Sequence, residues 1–368
     1  MKSGAVVENL VAAVAERCRS GLDPEALRAE VLPRLRRAVP IDALWWATVD
    51  PSTLLFTQAY REEIPEETGP YFVENEFLRD DVNKWTELAR DRHGVRTLLE
   101  ATAGNPATSA RYQEIFRPLG LEDELRAVLR SRDVSWGFMC LHREMGSSFS
   151  REETAFVRRI APHLAEGIRL GVLMRSLAST PPADAPGLIV LAVDGSLVSA
   201  NPAAAVWLEE IDASLSSGEV PIEVHAVAGR LRCLGPSEVG VPQLRVLTRA
   251  GRWATLHASW LPSDEARANV AVIIEASTPA EVAPLVMIAY GLTAQERAIT
   301  QLVCQGLSTR EMAAHLQITV NTVQDHLKPV FEKTGVRSRR ELVATILRQQ
   351  YLPRAKAGHP IGPDGAFV

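Results

Sequence analysis

One segment in the last quarter of the chain restricts the fold more than any other. Ser308 followed by Glu311 has the spacing of a capping box, in which two side chains satisfy free amide groups at a helix start. Gln317 and Ile318 then leave room for only a tight turn before Thr319, a residue type that caps helices well. The segment therefore predicts two short helices joined by a tight turn.

Apolar and polar side chains separate onto opposite faces of the second predicted helix. Val323 and Leu327 lie four residues apart and are expected to pack inward. The opposite face carries Asn321, Gln324, Asp325 and Lys328. In a major groove, Asn or Gln can bond adenine, Asp can accept from cytosine, and Lys can reach guanine or phosphate. Two short helices with such a face predict a helix-turn-helix that contacts DNA.

A further helix is predicted just before this pair. Thr293 and Glu296 form another capping box. The helix that they open carries an apolar stripe of Ile299, Leu302 and Val303. The predicted module therefore has a small hydrophobic core of its own. The alternative interpretation is a helical hairpin without a DNA-binding role, which only packs against other elements.

The region from about Leu292 to Leu347 resembles the carboxyl-terminal effector domain of LuxR-type transcriptional regulators. The likeness rests on the Leu-Thr-x-x-Glu-Arg start, the Gly-Leu-Ser turn before Thr309, the Thr322-Val323 pair, His326, and Lys-Thr-Gly-Val after the second helix. In that family, the residues just after the Thr-Val pair and one turn later face the bases. The DNA contacts predicted from the faces and the resemblance together are Thr309, Arg310, Asn321, Thr322, Gln324, Asp325 and Lys328.

Pro329 departs from the family pattern, which usually has a small or polar residue there. A proline inside a helix removes an amide donor and clashes with the carbonyl four residues earlier, at a cost of ~3 kcal/mol or more. We expect a kink or an early end of the helix at this point. An alternative function follows, in which the chain is a signalling adaptor or interaction protein with a weakened helix-turn-helix.

Charge favours nucleic acid as the partner of this region. Residues 287–352 hold eight basic and five acidic residues, a net of +3, whereas the whole chain is −5. Because one copy with this charge would bind phosphates weakly, we expect a homodimer on double-stranded DNA with two half-sites. The Arg337-Ser-Arg-Arg cluster is either a phosphate contact or a solvated helix start, and the sequence leaves both open.

The amino-terminal part alternates helical and strand patterns. Helices are predicted at 6–18 and 24–39, strands at 43–49, 54–60, 123–130 and 135–142, and a final helix from Ser150, which caps with Glu153. The Trp-Gly-x-x-x-Leu strand followed by Phe-Ser-x-Glu-Glu, together with this order of elements, resembles a GAF-type sensor domain. The resemblance implies a small-molecule pocket between sheet and helices, and the candidate ligand-binding residues are Trp46, Tyr60, Trp85 and Trp136. Each of these aromatic residues is otherwise an ordinary core residue.

The middle part begins with a β-hairpin that turns at Asp194-Gly195 and leads through Asn201-Pro202 into a helix. Three later strands are predicted at 243–248, 253–260 and 269–275. This arrangement resembles a PAS domain with a five-stranded antiparallel sheet. Because the helices between hairpin and later strands are expected to be short, a relay or dimerisation role is favoured over a second ligand site.

The chain of 368 residues is thus expected to hold several domains, consistent with its length. We predict a GAF-like sensor domain at 1–176, a linker at 177–187, and a PAS-like domain at 188–276. A linker at 277–286, a LuxR-type domain at 287–352 and a disordered tail at 353–368 complete the chain. The predicted fold class is therefore multidomain: two α+β sensor domains followed by an all-α four-helix helix-turn-helix domain.

Several other classes of protein find no support in the sequence. No apolar run reaches the ~18 residues of a membrane helix, and Glu8 interrupts any signal peptide, so we expect a cytoplasmic protein. The four cysteines stand singly, which favours reduced thiols, with Cys18 or Cys233 as a possible redox sensor. No cofactor, metal or membrane partner is expected. An enzyme using the amino-terminal pocket is a further alternative, but no phosphate loop or nucleophile motif supports it.

Overall fold

The computed structural model of the chain describes residues 4–177, 185–212, 219–234, 241–261 and 269–346. These residues form two compact units, of which one holds both sheets and the other holds most of the carboxyl-terminal helices. The predicted tail at 353–368, most of the predicted linker at 177–187, and Arg348 lie outside the described residues.

The first sheet lies between 43 and 144 and is antiparallel throughout, in the order β2-β1-β5-β4-β3. The strands are β1 (Ala43–Val49), β2 (Phe56–Glu62), β3 (Val95–Thr97), β4 (Leu121–Ser131) and β5 (Val134–Glu144). The helices are α1 (Gly4–Cys18), α2 (Pro24–Ala38), α3 (Gly69–Leu78), α4 (Trp85–Leu88), α5 (Leu98–Ala101) and α6 (Arg151–Leu177). The four predicted strands and three predicted helices are confirmed, whereas α3, α4, α5 and β3 were not predicted.

The second sheet has the same strand order, β7-β6-β10-β9-β8, and is also antiparallel where its pairing is described. Its strands are β6 (Gly187–Leu191), β7 (Leu197–Ala200), β8 (Gln243–Leu247), β9 (Trp253–Leu261) and β10 (Asn269–Ala276). Between them lie α7 (Pro202–Ile211) and α8 (Ile222–Leu234). As predicted, the hairpin turns at Gly195 with a positive φ of 89°, and Asn201 caps α7 with Pro202 in its first turn.

The two sheets share one hydrophobic core, so the two predicted sensor domains form a single compact unit. Helix α3 packs on α8, and Gly229 of α8 lies so close that an added Cβ atom would stand 2.8 Å from a methyl of Val73. Arg245 of β8 forms a buried ion pair with Asp50 after β1, with 2.9 Å between Nε and Oδ2. Apolar packing and this ion pair hold the two sheet regions together.

The second unit contains five helices among its described residues. They are α9 (Pro279–Ala289), α10 (Ala294–Cys304), α11 (Thr309–Leu316), α12 (Val320–Thr334) and α13 (339–346). Helix α9 occupies the segment 277–286 that was predicted as a linker. Thr278 and Glu281 form a capping box around it, and Pro279 stands in its first turn. Of the two prolines that suggested a linker, Pro279 is favourable in the first turn of a helix, and Pro284 lies inside α9.

Within the described ranges, no helix is both long enough and apolar enough to cross a membrane.

Candidate nucleic-acid interface

The helix starts of the second unit are fixed by local hydrogen bonds. Thr293 and Ser308 each cap a helix, and Glu296 and Glu311 return the bond to the backbone of the cap. Thr319 accepts a hydrogen bond at 3.1 Å from the amide of Thr322 and opens α12. All three predicted starts are confirmed, and each follows from short-range side-chain chemistry.

The turn between α11 and α12 depends on one residue in the left-handed conformation. Gln317 has a φ of 56° and ψ of 40°, and its amide donates to the carbonyls of Ala313 and Ala314. Ile318 then packs against the core of the unit. The two helices therefore follow one another with only the tight turn that the sequence predicted.

The buried face of the pair matches the apolar pattern of the sequence. Met312 and Ala313 of α11 and Val323, Leu327 and Val330 of α12 are buried in one cluster. The same cluster contains the α10 stripe of Ile299, Leu302 and Val303. The helix-turn-helix therefore rests on its own core, as predicted.

The predicted DNA contacts divide by exposure. Arg310, Asn321, Gln324, Asp325 and Lys328 are exposed, whereas Thr309 and Thr322 are half-buried. The exposed side chains on α12 recur every three or four residues, so they lie along one stripe of that helix. The structure therefore places the α12 residues where a partner can reach them.

An open concavity of about 700 Å³ runs beside α12. Thr309, Gln324 and Lys328 line it together with Arg337 and Arg339. The Arg339 guanidinium donates to the Thr309 hydroxyl at 2.6 Å, which joins α13 to the start of α11. The sequence had left the role of the arginine cluster open and did not connect Arg339 to the site. The signal was present as basic residues after α12, but their distance from Thr309 depends on the fold.

Helix α12 does not end at Pro329. It runs unbroken from Val320 to Thr334 and ends at Gly335 in the left-handed conformation. The expected early end is therefore wrong. Val323 and Leu327 before the proline and Val330 after it are all buried in the same core. Packing on both sides outweighs the single hydrogen bond that the proline removes.

Lys333 does not contribute its charge to the outer face. Its ammonium group lies 2.6 Å from Oε2 of Glu296, whose side chain is largely buried. Burial alone would raise the pKa of Glu296, but the bonds from Lys333 and Thr293 outweigh it and the pKa is lowered. The ion pair connects the end of α12 to the start of α10. It also leaves one fewer unpaired cationic side chain for a partner.

The capped helix pair, its own core and the exposed polar stripe define a helix-turn-helix domain. A family model described as bacterial regulatory proteins of the luxR family matches residues 290–346. The spore germination protein GerE of Bacillus subtilis is 37% identical over 57 residues, which make up 16% of this chain and 77% of GerE. The chain therefore belongs to the luxR family of bacterial regulatory proteins.

Two further proteins are similar to parts of this chain. The monoamine regulon transcriptional regulator of Klebsiella aerogenes is 45% identical over 53 residues, 14% of this chain and 23% of that protein. The chain thus spans less than a quarter of the length of this relative. The crystal structure of a phage VqmA–DPO complex is 15% identical with a TM-score of 0.26, covering 46% of this chain and 85% of that one.

The four candidate ligand residues of the amino-terminal region are not brought together. Trp46 and Tyr60 are cross-strand partners on β1 and β2, and the Arg28 guanidinium lies 3.8 Å above the Tyr60 ring. Trp85 is buried and stacks on Phe138 with 4.4 Å between ring centroids. Trp136 is buried on β5. Trp45, next to Trp46 in sequence, joins the Trp85 cluster, so Trp46 points to the other face of the sheet.

A buried ionic network lies on β4 and its neighbours, and the sequence did not predict it. Glu124 accepts from Arg111 at 2.8 Å and from Arg126 at 3.0 Å, and Arg126 also donates to Glu76 at 2.9 Å. Burial by itself would raise the pKa of Glu124, but the two guanidinium groups lower it strongly. Arg111 further lies 3.6 Å from Asp81. Opposite charges therefore compensate each other inside this region.

Glu124, Cys140 and His142 bring three potential metal-ligand atoms within 4.8 Å of one another. The charges around them do not fit a metal ion. Both oxygens of Glu124 already accept from guanidinium groups, and those cations would repel a metal. Burial also raises the pKa of the Cys140 thiol well above its ordinary value. We therefore assign no metal to this cluster, in which His142 is the group with unused hydrogen-bonding capacity.

Proposed function

We propose that the chain is a DNA-binding transcriptional regulator whose α12 helix enters the major groove. The observation that carries the proposal is the exposed polar stripe of α12, on a helix whose start is capped and whose opposite face is buried. A helix held in this way presents short polar side chains to base edges in a fixed orientation.

The exposed residues divide by the contacts that their chemistry allows. Gln324 and Asn321 carry amides that pair with adenine, Asp325 accepts from cytosine, and Lys328 reaches guanine or phosphate. Arg310, Thr309 and Thr322 lie at the starts of the two helices, where side chains and backbone amides suit phosphate contacts. The base contacts specify the sequence, and the phosphate contacts set the position of the domain.

A homodimer is part of the proposal. The net charge of +3 over residues 287–352 includes Lys333, which is paired with Glu296. This pair removes equal and opposite charges and leaves the net at +3, which is modest, so a single copy would bind weakly at physiological salt. Two copies on adjacent half-sites would add their contacts.

The two-sheet unit is proposed to act as a GAF-like and PAS-like sensor. Its two sheets have the same strand order and share one hydrophobic core. A conformational change in one sheet region would therefore alter the packing of the other. A signal acts on DNA binding only if it favours one arrangement of the dimer over another. The adaptor alternative gains no support from Pro329, because α12 continues past it.

The test is binding of the full-length protein to DNA fragments selected from a genomic library, at several salt concentrations. Gln324→Ala is expected to weaken specific binding by about 1–3 kcal/mol, with little change in non-specific binding. Lys328→Ala is expected to lower the slope of log affinity against log salt by about one if it contacts phosphate.

Gln301→Ala is the matched control, because this glutamine is exposed on α10, away from the stripe. It should bind DNA as the unaltered protein does. If Gln324→Ala and Gln301→Ala bind the selected fragments equally well, α12 does not contact bases and the adaptor interpretation is favoured.

A further inference from the structure

A small cavity lies between the first sheet and helix α8. Its lining includes Trp45 and His142 of the sheet, Phe72 of α3, Phe116, and Ile222 at the start of α8. Arg61 and Thr68 also line it. Both sheet regions thus contribute to one cavity, which we call the seam site.

His142 is a fully buried polar residue of the seam site. Its side chain is 1% exposed, and neither ring nitrogen has a hydrogen-bond partner among the residues that the structure describes. Burial lowers the pKa of this imidazole to about 4, so the ring is neutral at pH 7. A neutral imidazole carries one donor and one acceptor, and buried groups of this kind are normally satisfied.

The charges near the seam site are already matched. Glu124 is bonded to Arg111 and Arg126, and Arg61 is paired with Glu66. A charged ligand would lose its hydration here without gaining a free counter-charge. The rings of Trp45, Phe72 and Phe116, by contrast, favour an apolar body.

The cavity is so small that a ligand could bind only if a lining residue moved. Its volume of about 20 Å³ exceeds the roughly 10–15 Å³ that one water needs, and it is too small for an organic molecule. Ile222 is the wall residue that belongs to α8, and α8 packs against α3 through Gly229 and Val73. Displacement of Ile222 would therefore change the packing between the two sheet regions.

We propose that the seam site binds a small uncharged molecule with an apolar body and one hydrogen-bonding group, which bonds to His142 and displaces Ile222. The proposal rests on the proposed sensor function and states the ligand class and the helix that responds. Because opening the wall costs free energy, a ligand binds the closed form weakly and favours the open one.

Phenol and benzene are the probes, because they differ in one hydroxyl group. Calorimetric titration of the full chain is expected to show saturable binding of phenol and weaker binding of benzene. Ile222→Ala removes the wall and should tighten phenol binding by about tenfold, since the cost of opening falls. Ile222→Trp fills the space and should abolish binding of both probes.

His142→Leu tests the polar contact. It should weaken phenol by about tenfold and leave benzene nearly unchanged, so that the preference for phenol is lost. Ile273→Ala is the control for Ile222, because Ile273 is 38% exposed on β10. It should bind both probes as the unaltered chain does. Circular dichroism of each variant separates loss of binding from loss of the fold.

Absence of phenol binding in both the unaltered chain and Ile222→Ala would overturn the proposal. Equal binding of phenol by the His142→Leu and unaltered proteins would also overturn it. DNA binding of the same samples is measured without probe. If specific DNA binding persists while phenol fails to bind, only the seam site is refuted. If phenol binds while specific DNA binding is absent, only the regulator function is refuted.

Discussion

Glu223 offers a test of how burial controls the stability of the two-sheet unit. This carboxyl group lies on α8, 2% exposed, and its Oε2 has no hydrogen-bond partner within the described part of the chain. Burial raises the pKa of Glu223 from 4.5 to about 8, and the carboxylate of Asp212 adds to the rise. Its own backbone amide and Arg61 oppose the rise without cancelling it. The group is therefore protonated in the folded protein at pH 7.

The sign of the effect on stability follows from linkage. Below pH 4.5 the group is protonated in both the folded and the unfolded chain, so it has no pH-dependent effect. Between 4.5 and about 8, only the unfolded chain releases the proton, and the free energy of unfolding falls as pH rises. The loss at pH 7 is about 3 kcal/mol, since each unit of separation is worth about 1.4 kcal/mol.

Glu223→Gln keeps the shape and removes the titration. The variant is expected to gain about 2–3 kcal/mol over the unaltered protein at pH 7, and almost nothing at pH 4.5. Urea unfolding followed by tryptophan fluorescence, at several pH values between 4.5 and 8, gives the difference curve. Glu16→Gln, which makes the same exchange at an exposed position on α1, is the control for the substitution itself.

A difference between the Glu223→Gln and unaltered proteins that stays constant with pH would refute this reasoning. It would mean that the carboxyl group has the same pKa in the folded and unfolded chain. A loss of stability that grows as pH rises from 4.5 would instead show that the Glu223 carboxylate is ionised and stabilised in the folded state.

Two other predictions concern the buried polar and backbone features. Pro329→Ala should stabilise the helix-turn-helix unit by about 1–3 kcal/mol, because the hydrogen bond from the amide of residue 329 to the Asp325 carbonyl is restored. Thermal unfolding followed by circular dichroism measures the gain. An unchanged midpoint would mean that the helix has already relaxed around the proline. Arg111→Met should destabilise the two-sheet unit by about 3–5 kcal/mol in urea unfolding, because Glu124 loses a buried partner. Arg79→Met, which breaks the half-exposed pair with Glu114, should cost less than about 1 kcal/mol, and equal costs for the two variants would contradict the role given to burial.

The segments that the sequence predicted well are those governed by short-range rules. Ser308 with Glu311 and Thr319 with the following residues define helix starts through bonds that span three residues. The strand Ala43–Val49 is observed with the predicted bounds. A short, continuous apolar run of this length is typical of a buried strand. The polar stripe of α12 follows from helical spacing alone.

The segment from 63 to 120 was not predicted, and the buried network explains why. Arg111 and Glu124 are charged residues that local pattern rules assign to the surface, yet both side chains are fully buried. Arg111 is paired with Glu124 and with Asp81, which lie 13 and 30 residues away in the sequence. A pattern of local hydrophobicity holds no information on such pairs.

The sequence by itself determined the helix-turn-helix, its caps, its exposed stripe, and most strands of both sheets, because these depend on neighbours within a few residues. Only the tertiary structure decided that α12 continues past Pro329, that Arg339 reaches Thr309, and that His142 and Ile222 share one cavity. Each of these outcomes depends on packing between residues distant in sequence. Such packing free energy is a property of the folded chain as a whole, and it overrides the local preference of a single residue.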